Sequence, residues 1–282
     1  MHKTLTATPL LLAALALSAP LAARAGEDHC RHSAPRALSL DLAGVKAVVF
    51  DIAHNDLKVT AAPGAAGDVQ GKACASEADA LPSLRLEQER SGDKLVVRAW
   101  REGRSSGIFL GNNYAYQTLA ATLPDSMPVQ LKVGSGDATV TGAPVVSADV
   151  GSGDAAIRRT RGLVAVSVGS GDIEVDDAGA LKVVSIGSGD IDARRIRGAV
   201  DVGSIGSGDF DLAGAGGDVA IGSVGSGGAR LRDVGGSVRV RSIGSGEVDV
   251  NDVRGDLTVE SVGSGDIDHA GVAGTLHLPK RR

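Results

Sequence analysis

The tripeptide Gly-Ser-Gly begins at Gly134, Gly151, Gly169, Gly187, Gly206, Gly225, Gly244 and Gly263, so successive copies lie 17, 18, 18, 19, 19, 19 and 19 residues apart. Self-similarity at a nearly fixed period of this length belongs to solenoids and arrays, which restricts the fold before any other feature is weighed. The next residue is Asp137, Asp154, Asp172, Asp190, Asp209, Gly228, Glu247 and Asp266 in turn, so an acid is frequent there but not required. A second landmark follows later in each copy: Gly142, Gly162, Gly198, Gly217, Gly236, Gly255 and Gly274, with Gly179 or Ala180 in the remaining one.

Each landmark opens a run that alternates apolar and polar, as in Val164-Ala165-Val166-Ser167-Val168, and alternation at period two is the signature of a strand. Beyond the tripeptide the apolar positions resume as Ile173 and Val175, Phe210 and Leu212, Val248 and Val250, and Ile267 followed by His269. The step from Val168 to Ile173 is odd, so the inward parity switches and the chain must bend. Each copy is therefore two short strands, a corner and a return loop. Such a unit cannot bury its own apolar face, but stacking copies at the ~4.8 Å strand spacing sets Val on Val and Ile on Ile.

The predicted fold is all-β: a parallel β-helix or β-solenoid over residues 129–282. Its structural turns are Gly134, Gly136 and Asp137; Gly151, Gly153 and Asp154; Gly169, Gly171 and Asp172; Gly187, Gly189 and Asp190; Gly206, Gly208 and Asp209; and Gly263, Gly265 and Asp266. The corner glycines are expected to supply positive φ or a missing Cβ, and the stacked serines to pass hydrogen bonds along the ladder. Composition agrees: 40 glycines and only six aromatic residues imply a core of small β-branched side chains packed repetitively.

Residues 26–128 carry a weaker form of the same grammar. Val49 to Val59 fits a degenerate first coil, with His54 and Asn55 in place of Ser and Gly. Arg90-Ser91-Gly92-Asp93 before Leu95-Val96-Val97 reads as a hairpin turn and strand, and 102–113 as a polar loop. This region is expected to cap the solenoid, since an open end exposes unpaired strand edges. Residues 1–25 read as an export signal: a basic start at His2 and Lys3, an apolar stretch from Leu5 to Leu21, and a small-x-small site at Ala23-Arg24-Ala25. The apolar stretch is interrupted by Pro9 and Pro20 and is too short to span a bilayer. The expected location is periplasmic or secreted. There the only two cysteines, Cys30 and Cys74, are expected to form a disulfide.

The formal charge of −5 becomes −7 once Lys3 and Arg24 leave with the signal, which argues against nucleic acid or anionic lipid as partner. Stacked aspartates ~5 Å apart repel by about 0.8 kcal/mol in water and about 3 kcal/mol at an effective dielectric of 20. The expected relief is that each caps N–H groups of its own corner, with calcium binding as the alternative. The histidines of the mature chain are scattered, a serine repeated eight times is a structural position, and no catalytic, cofactor or metal residues are assigned. Arg158, Arg159, Arg161, Arg194, Arg195 and Arg197 gather in two return loops, read either as a basic patch on neighbouring coils or as solvated loops offset by acids.

With its eight corners, Leu123-Pro124-Asp125 leading through Val129-Gln130-Leu131 into the first one, and paired Gly-x-Val-x-Val strands, the chain resembles the putative-adhesin family of bacterial β-strand repeat proteins, domains of unknown function. The resemblance implies a β-solenoid at the cell envelope and supplies no active-site residues. The expected function is thus a non-enzymatic structural or interaction module, monomeric, meeting an unidentified surface protein or glycan through Tyr114, Tyr116 and the arginine loops. The alternatives are a carbohydrate-active β-helix enzyme or a calcium-binding repeat protein.

Overall fold

The computed structural model describes residues 30–103 and 113–280; the predicted signal, most of the predicted polar loop and the last two residues lie outside that range. Strands run in chain order as β1 His32–Ser39, β2 Ala47–Ala53, β3 Asp56–Ala62, β4 Asp68–Ala75, β5 Leu84–Ser91, β6 Lys94–Arg101, β7 Ala115–Pro124, β8 Val129–Val133, β9 Ala138–Thr141, β10 Val146–Val150, β11 Ala155–Val168 and β12 Ile173–Ile186. They continue as β13 Ile191–Ile196, β14 Val200–Ile205, β15 Asp209–Ala215, β16 Val219–Val224, β17 Gly228–Val234, β18 Val238–Ile243, β19 Glu247–Val253, β20 Leu257–Val262, β21 Asp266–Val272 and β22 Leu276–His277.

The product is a β-solenoid whose coils each contribute one strand to either of two facing walls. One wall stacks β8, β10, the second halves of β11 and β12, then β14, β16, β18, β20 and β22, every neighbour parallel. The other stacks β9, the first halves of β11 and β12, then β13, β15, β17, β19 and β21. Identical inward positions sit on one another, as Val183, Val202, Ile221, Val240 and Val259 do in register. These residues are at most 3 % exposed, so the repeat buries its apolar face only through its neighbours.

The parallel ladder does not begin at Val129. β2 lies against β8 and β3 against β9, so the degenerate first coil that the sequence indicates over 49–59 is a coil spanning 47–62. Beyond it lies a further coil that comes later in the chain: β6 pairs parallel with β2, and β7 with β3. The spatial order is thus β6–β7, β2–β3, β8–β9, a permutation of chain order. Antiparallel strands close that end, with β5 on β6, β4 on β7 and β1 on β4. Their sequences suit an edge: β5 carries Arg85, Glu87, Glu89 and Arg90, and β1 carries Pro35.

The two ends of each coil turn by different means. The Gly-Ser-Gly corner uses no positive φ; its second glycine is needed because the coil beneath is too close. A Cβ on Gly189 or Gly208 would lie 1.9 or 1.8 Å from the carbonyl oxygen of the glycine one coil below. Of the two reasons the sequence offers for these glycines, the missing Cβ is the operative one. The return corner instead holds one left-handed residue per coil: Gly142, Arg159, Asp177, Arg195, Gly214, Asp233, Asp252 and Gly271. This column shows that Gly142 is no equivalent of Gly162; the backbone N–H of Gly162 stacks on the carbonyl of Pro144, which holds the landmark place in that coil.

Candidate functional site

The aspartates at the Gly-Ser-Gly corners form a column whose repulsion is relieved between coils. The backbone N–H of Asp172 donates to Asp154 Oδ1 at 3.0 Å, that of Asp190 to Asp172 at 3.2 Å, and that of Asp209 to Asp190 at 2.8 Å. Asp137 likewise donates to Asp56 Oδ1 at 3.3 Å. Capping therefore reaches across to the next coil rather than to N–H groups of the same corner. The reason is geometric: strand stacking leaves each acid's N–H facing the carboxylate one coil below. Asp56 begins the column, and burial pushes its carboxyl above the ordinary range, against the lowering effect of that N–H.

At Gly228 the column breaks. The N–H groups of Gly228, Glu247 and Asp266 turn to the carbonyls of Gly208, Gly227 and Gly246. The corner serines bond along the stack through their backbone, as Ser152 N–H does to Gly134 O at 2.7 Å. A second column, which sequence reasoning missed, runs along the return corner: Ser237 N–H to Asp218 Oδ1 at 2.7 Å, Asp256 N–H to Ser237 Oγ at 3.1 Å, and Thr275 N–H to Asp256 Oδ1 at 2.7 Å. Its signal is present in Gly217-Asp218, Gly236-Ser237, Gly255-Asp256 and Gly274-Thr275. Among the described residues no group of three or more His, Cys, Asp or Glu side chains is placed to hold a metal ion.

The arginine loops do not merge into a basic patch. They lie two coils apart, and the coil between them carries Glu174, Asp176 and Asp177. Glu174 accepts from Arg158 at 2.6 Å and from Arg194 at 3.1 Å, while Arg195 pairs with Asp176 and Arg197 with Asp177. Arg161 reaches Asp125 at 3.4 Å. The spacing of 36 residues from Arg158 to Arg194 is two periods, which is why neighbouring coils do not join them.

The permuted end gathers a different set of residues. Asn55 occupies the place of the second corner glycine, directly beneath Gly136. Its fully buried side chain donates to Ile52 O at 2.9 Å and Ala99 O at 2.7 Å and accepts from Gln117 N–H at 2.8 Å. It thereby bridges the end of β6 to the start of β7 where the coil has an insertion in place of a Gly-Ser-Gly corner. Aromatic side chains flank this bridge. Trp100 is 37 % exposed, and Tyr114 and Tyr116 are half-buried with ring centroids 6.0 Å apart. Tyr114 Oη accepts from Arg31 N–H at 2.9 Å. Cys30 and Cys74 are disulfide-bonded with Cα atoms 5.4 Å apart, and Tyr116 lies opposite Cys74 in the β4–β7 pair.

The family model described as "Putative auto-transporter adhesin, head GIN domain" matches residues 156–273. Two solved structures share the fold. A putative adhesin from Parabacteroides merdae superposes with a TM-score of 0.52 at 13 % identity, over 84 % of this chain and 96 % of that one. A putative lipid binding protein from Parabacteroides distasonis gives 0.55 at 15 % identity, over 85 % and 97 %. No curated protein matches the chain.

Proposed function

Since residues 156–273 match the model of the head GIN domain of putative auto-transporter adhesins, we propose that this chain is an exported, non-enzymatic interaction module of the cell envelope, contacting a surface glycan or protein through its permuted end. The observation that carries this reading is the placement of Trp100, Tyr114 and Tyr116 around the one coil whose corner is interrupted, while the repeated coils present columns already bonded to themselves. Aromatic faces bind flat, partly apolar surfaces at small entropic cost and are enriched in contact patches. The arginine loops, whose charges are largely spent on Glu174, Asp176, Asp177 and Asp125, support inter-coil packing in this reading rather than recognition. No helix of the described residues is long and apolar enough to cross a membrane.

A glycan array and an envelope-extract pull-down with the purified protein test the proposal, alongside Trp100→Ala and Tyr116→Ala. Binding that both variants lose and Arg158→Ala keeps is expected. Turnover of any polysaccharide, or binding indifferent to both aromatic substitutions, would overturn it.

A further inference from the structure

On the outer face of the wall that contains β14, β16 and β18, stacking sets Asp201, Ala220 and Arg239 in register in one outward column. The next outward column, between the register pairs on either side, holds Gly203, Gly222 and Arg241. Both glycines are dictated by packing: a Cβ on Gly203 would meet Val184 O at 2.5 Å, and one on Gly222 would meet Gly203 O at 2.3 Å. The floor is therefore bare, and a trough of about 220 Å³ lies over it, lined by Asp201, Gly203, Ala220, Gly222, Arg239 and Arg241. Arg239 and Arg241 stand two residues apart on β18 and so share its outer face. The charges of this trough are not spent on one another. Arg239 reaches Glu260 at 3.5 Å, whereas the Arg241 guanidinium and the Asp201 carboxylate make no hydrogen bond or ion pair among the described residues. The arginine loops differ, since Arg158, Arg194, Arg195 and Arg197 are all held by acids.

We propose that this trough binds one carboxylate-bearing sugar unit, such as a uronate residue of a glycan, with Arg241 and Arg239 on its carboxylate and Asp201 accepting from its ring hydroxyls. A guanidinium matches a carboxylate with two parallel N–H donors, and Arg241 is free to offer them. Asp201 decides between kinds of anion. A phosphate, or the bare carboxylate of an acidic side chain, would engage the arginines but be repelled by Asp201, whereas a sugar brings hydroxyl donors to that acid together with its carboxylate. The floor of glycine Cα–H groups and the Ala220 methyl lets the flat C–H face of a pyranose ring lie against the backbone. Size and charge set the length recognised. The trough is smaller than the ~300–1,000 Å³ of sites for drug-sized ligands, so it suits a single unit. The net negative charge of the chain opposes a long polyanion, which again favours one acidic unit over a run of them. The assignment goes beyond the contact at the permuted end and does not depend on it.

The test is titration of the purified protein with free methyl glucuronide, followed through its backbone amide NMR signals, against methyl glucoside and acetate. Glucuronide should shift the amides of Gly203 and Gly222, and both controls should bind at least ~10-fold more weakly, the scale of one lost charge-assisted hydrogen bond. Arg241→Ala and Asp201→Ala, both at exposed positions, should each weaken glucuronide binding by a similar factor with an unchanged strand spectrum. Arg232→Ala, at an exposed arginine of the opposite wall, and Trp100→Ala should leave it as it is. Glucuronide that shifts neither glycine, glucoside or acetate that binds as well as glucuronide, or an Arg232→Ala loss equal to that of Arg241→Ala would each overturn the proposal. A loss with Trp100→Ala would place the sugar at the permuted end and overturn it as well, while failure of capture at that end leaves the signals at Gly203 and Gly222 to be read on their own.

Discussion

The repeated coils from β10 onward and the two permuted coils at the other end share a cross-section but hold it by different means. In the repeats, a glycine column lets each corner settle onto the carbonyl beneath it, and backbone and carboxylate bonds run from coil to coil. In the permuted coils the chain visits the stack out of order, and one buried amide, Asn55, ties two strand ends that no tight corner joins. A solenoid coil is therefore defined by which strands stack and not by chain continuity. Repetition makes it tolerant and interruption makes it dependent on single residues. The interrupted coil also carries the exposed Trp100 and the half-buried pair Tyr114 and Tyr116.

The comparison is most easily broken at a glycine. Gly208→Ala puts a Cβ 1.8 Å from backbone that cannot rotate away, so it should cost about 3 kcal/mol or more, at the upper end of overpacking. Gly64→Ala is the control: nothing lies within 4 Å, and its φ of +74° makes the cost about 1 kcal/mol. Urea melts of both separate close approach from turn conformation. If the two variants lose the same stability, the corner glycines are not there for packing.

Next in size is Asn55→Ala, which leaves Ala99 O and Gln117 N–H buried without partners, at about 1–3 kcal/mol for an unsatisfied group. Loss at Asn55 should also speed hydrogen exchange in β6 and β7 while leaving β16 to β19 protected, because a solenoid opens locally. Uniform loss of protection would count against the distinction between the two regions.

Within the repeats, one position argues for improvement. Thr160 is fully buried in the column that continues as Ala178, Ile196, Ala215, Val234 and Val253, and its hydroxyl has no partner. Thr160→Val keeps the shape and removes the stranded group, so it should stabilise by about 1 kcal/mol in thermal or urea unfolding. A loss instead would mean that the hydroxyl is satisfied in solution.

The smallest effect expected is at Asp56, where the two regions meet. Its carboxyl is held above the ordinary range by burial, so the folded chain binds a proton more readily than the unfolded one. This group's unfavourable contribution is therefore present at neutral pH and fades as pH falls through its raised folded value toward the unfolded one. Asp56→Asn, which retains an acceptor for Asp137 N–H, should be slightly more stable than the parent at pH 7 and equal to it in acid. A gap that widens on acidification would reverse the sign argued here.

Much of this fold is legible in the sequence because solenoid stacking writes itself as a period. The corners, the two-strand coil, the degenerate coil at 47–62 and the β5–β6 hairpin all follow from spacing and alternation. The permuted coil does not, since parallel pairing of β6 with β2 is a long-range choice and leaves no mark in either strand's pattern. The left-handed column was hidden by its mixed occupancy. Aspartate and glycine suit that conformation, but Arg159 and Arg195 do not announce it. The arginine loops show a different gap: their offset by nearby acids is legible in the residue types, but adjacency requires counting periods, and 36 residues is two coils.

The most direct test of the coil itself removes residues in units of the repeat. Ile205 and Val224 are register partners in adjacent coils, so deleting Gly206 through Val224 joins Ile205 to Gly225 and should restore every inward contact. That variant should remain folded, with a modest loss in melting temperature from one coil and one interface. Deleting Gly206 through Gly214 removes one corner and most of β15, sets the following strands against the wrong wall, and should unfold or aggregate the chain. Equal stability of the two deletions in thermal melts, or collapse of the full-repeat deletion alone, would contradict a coil of two strands and one Gly-Ser-Gly corner.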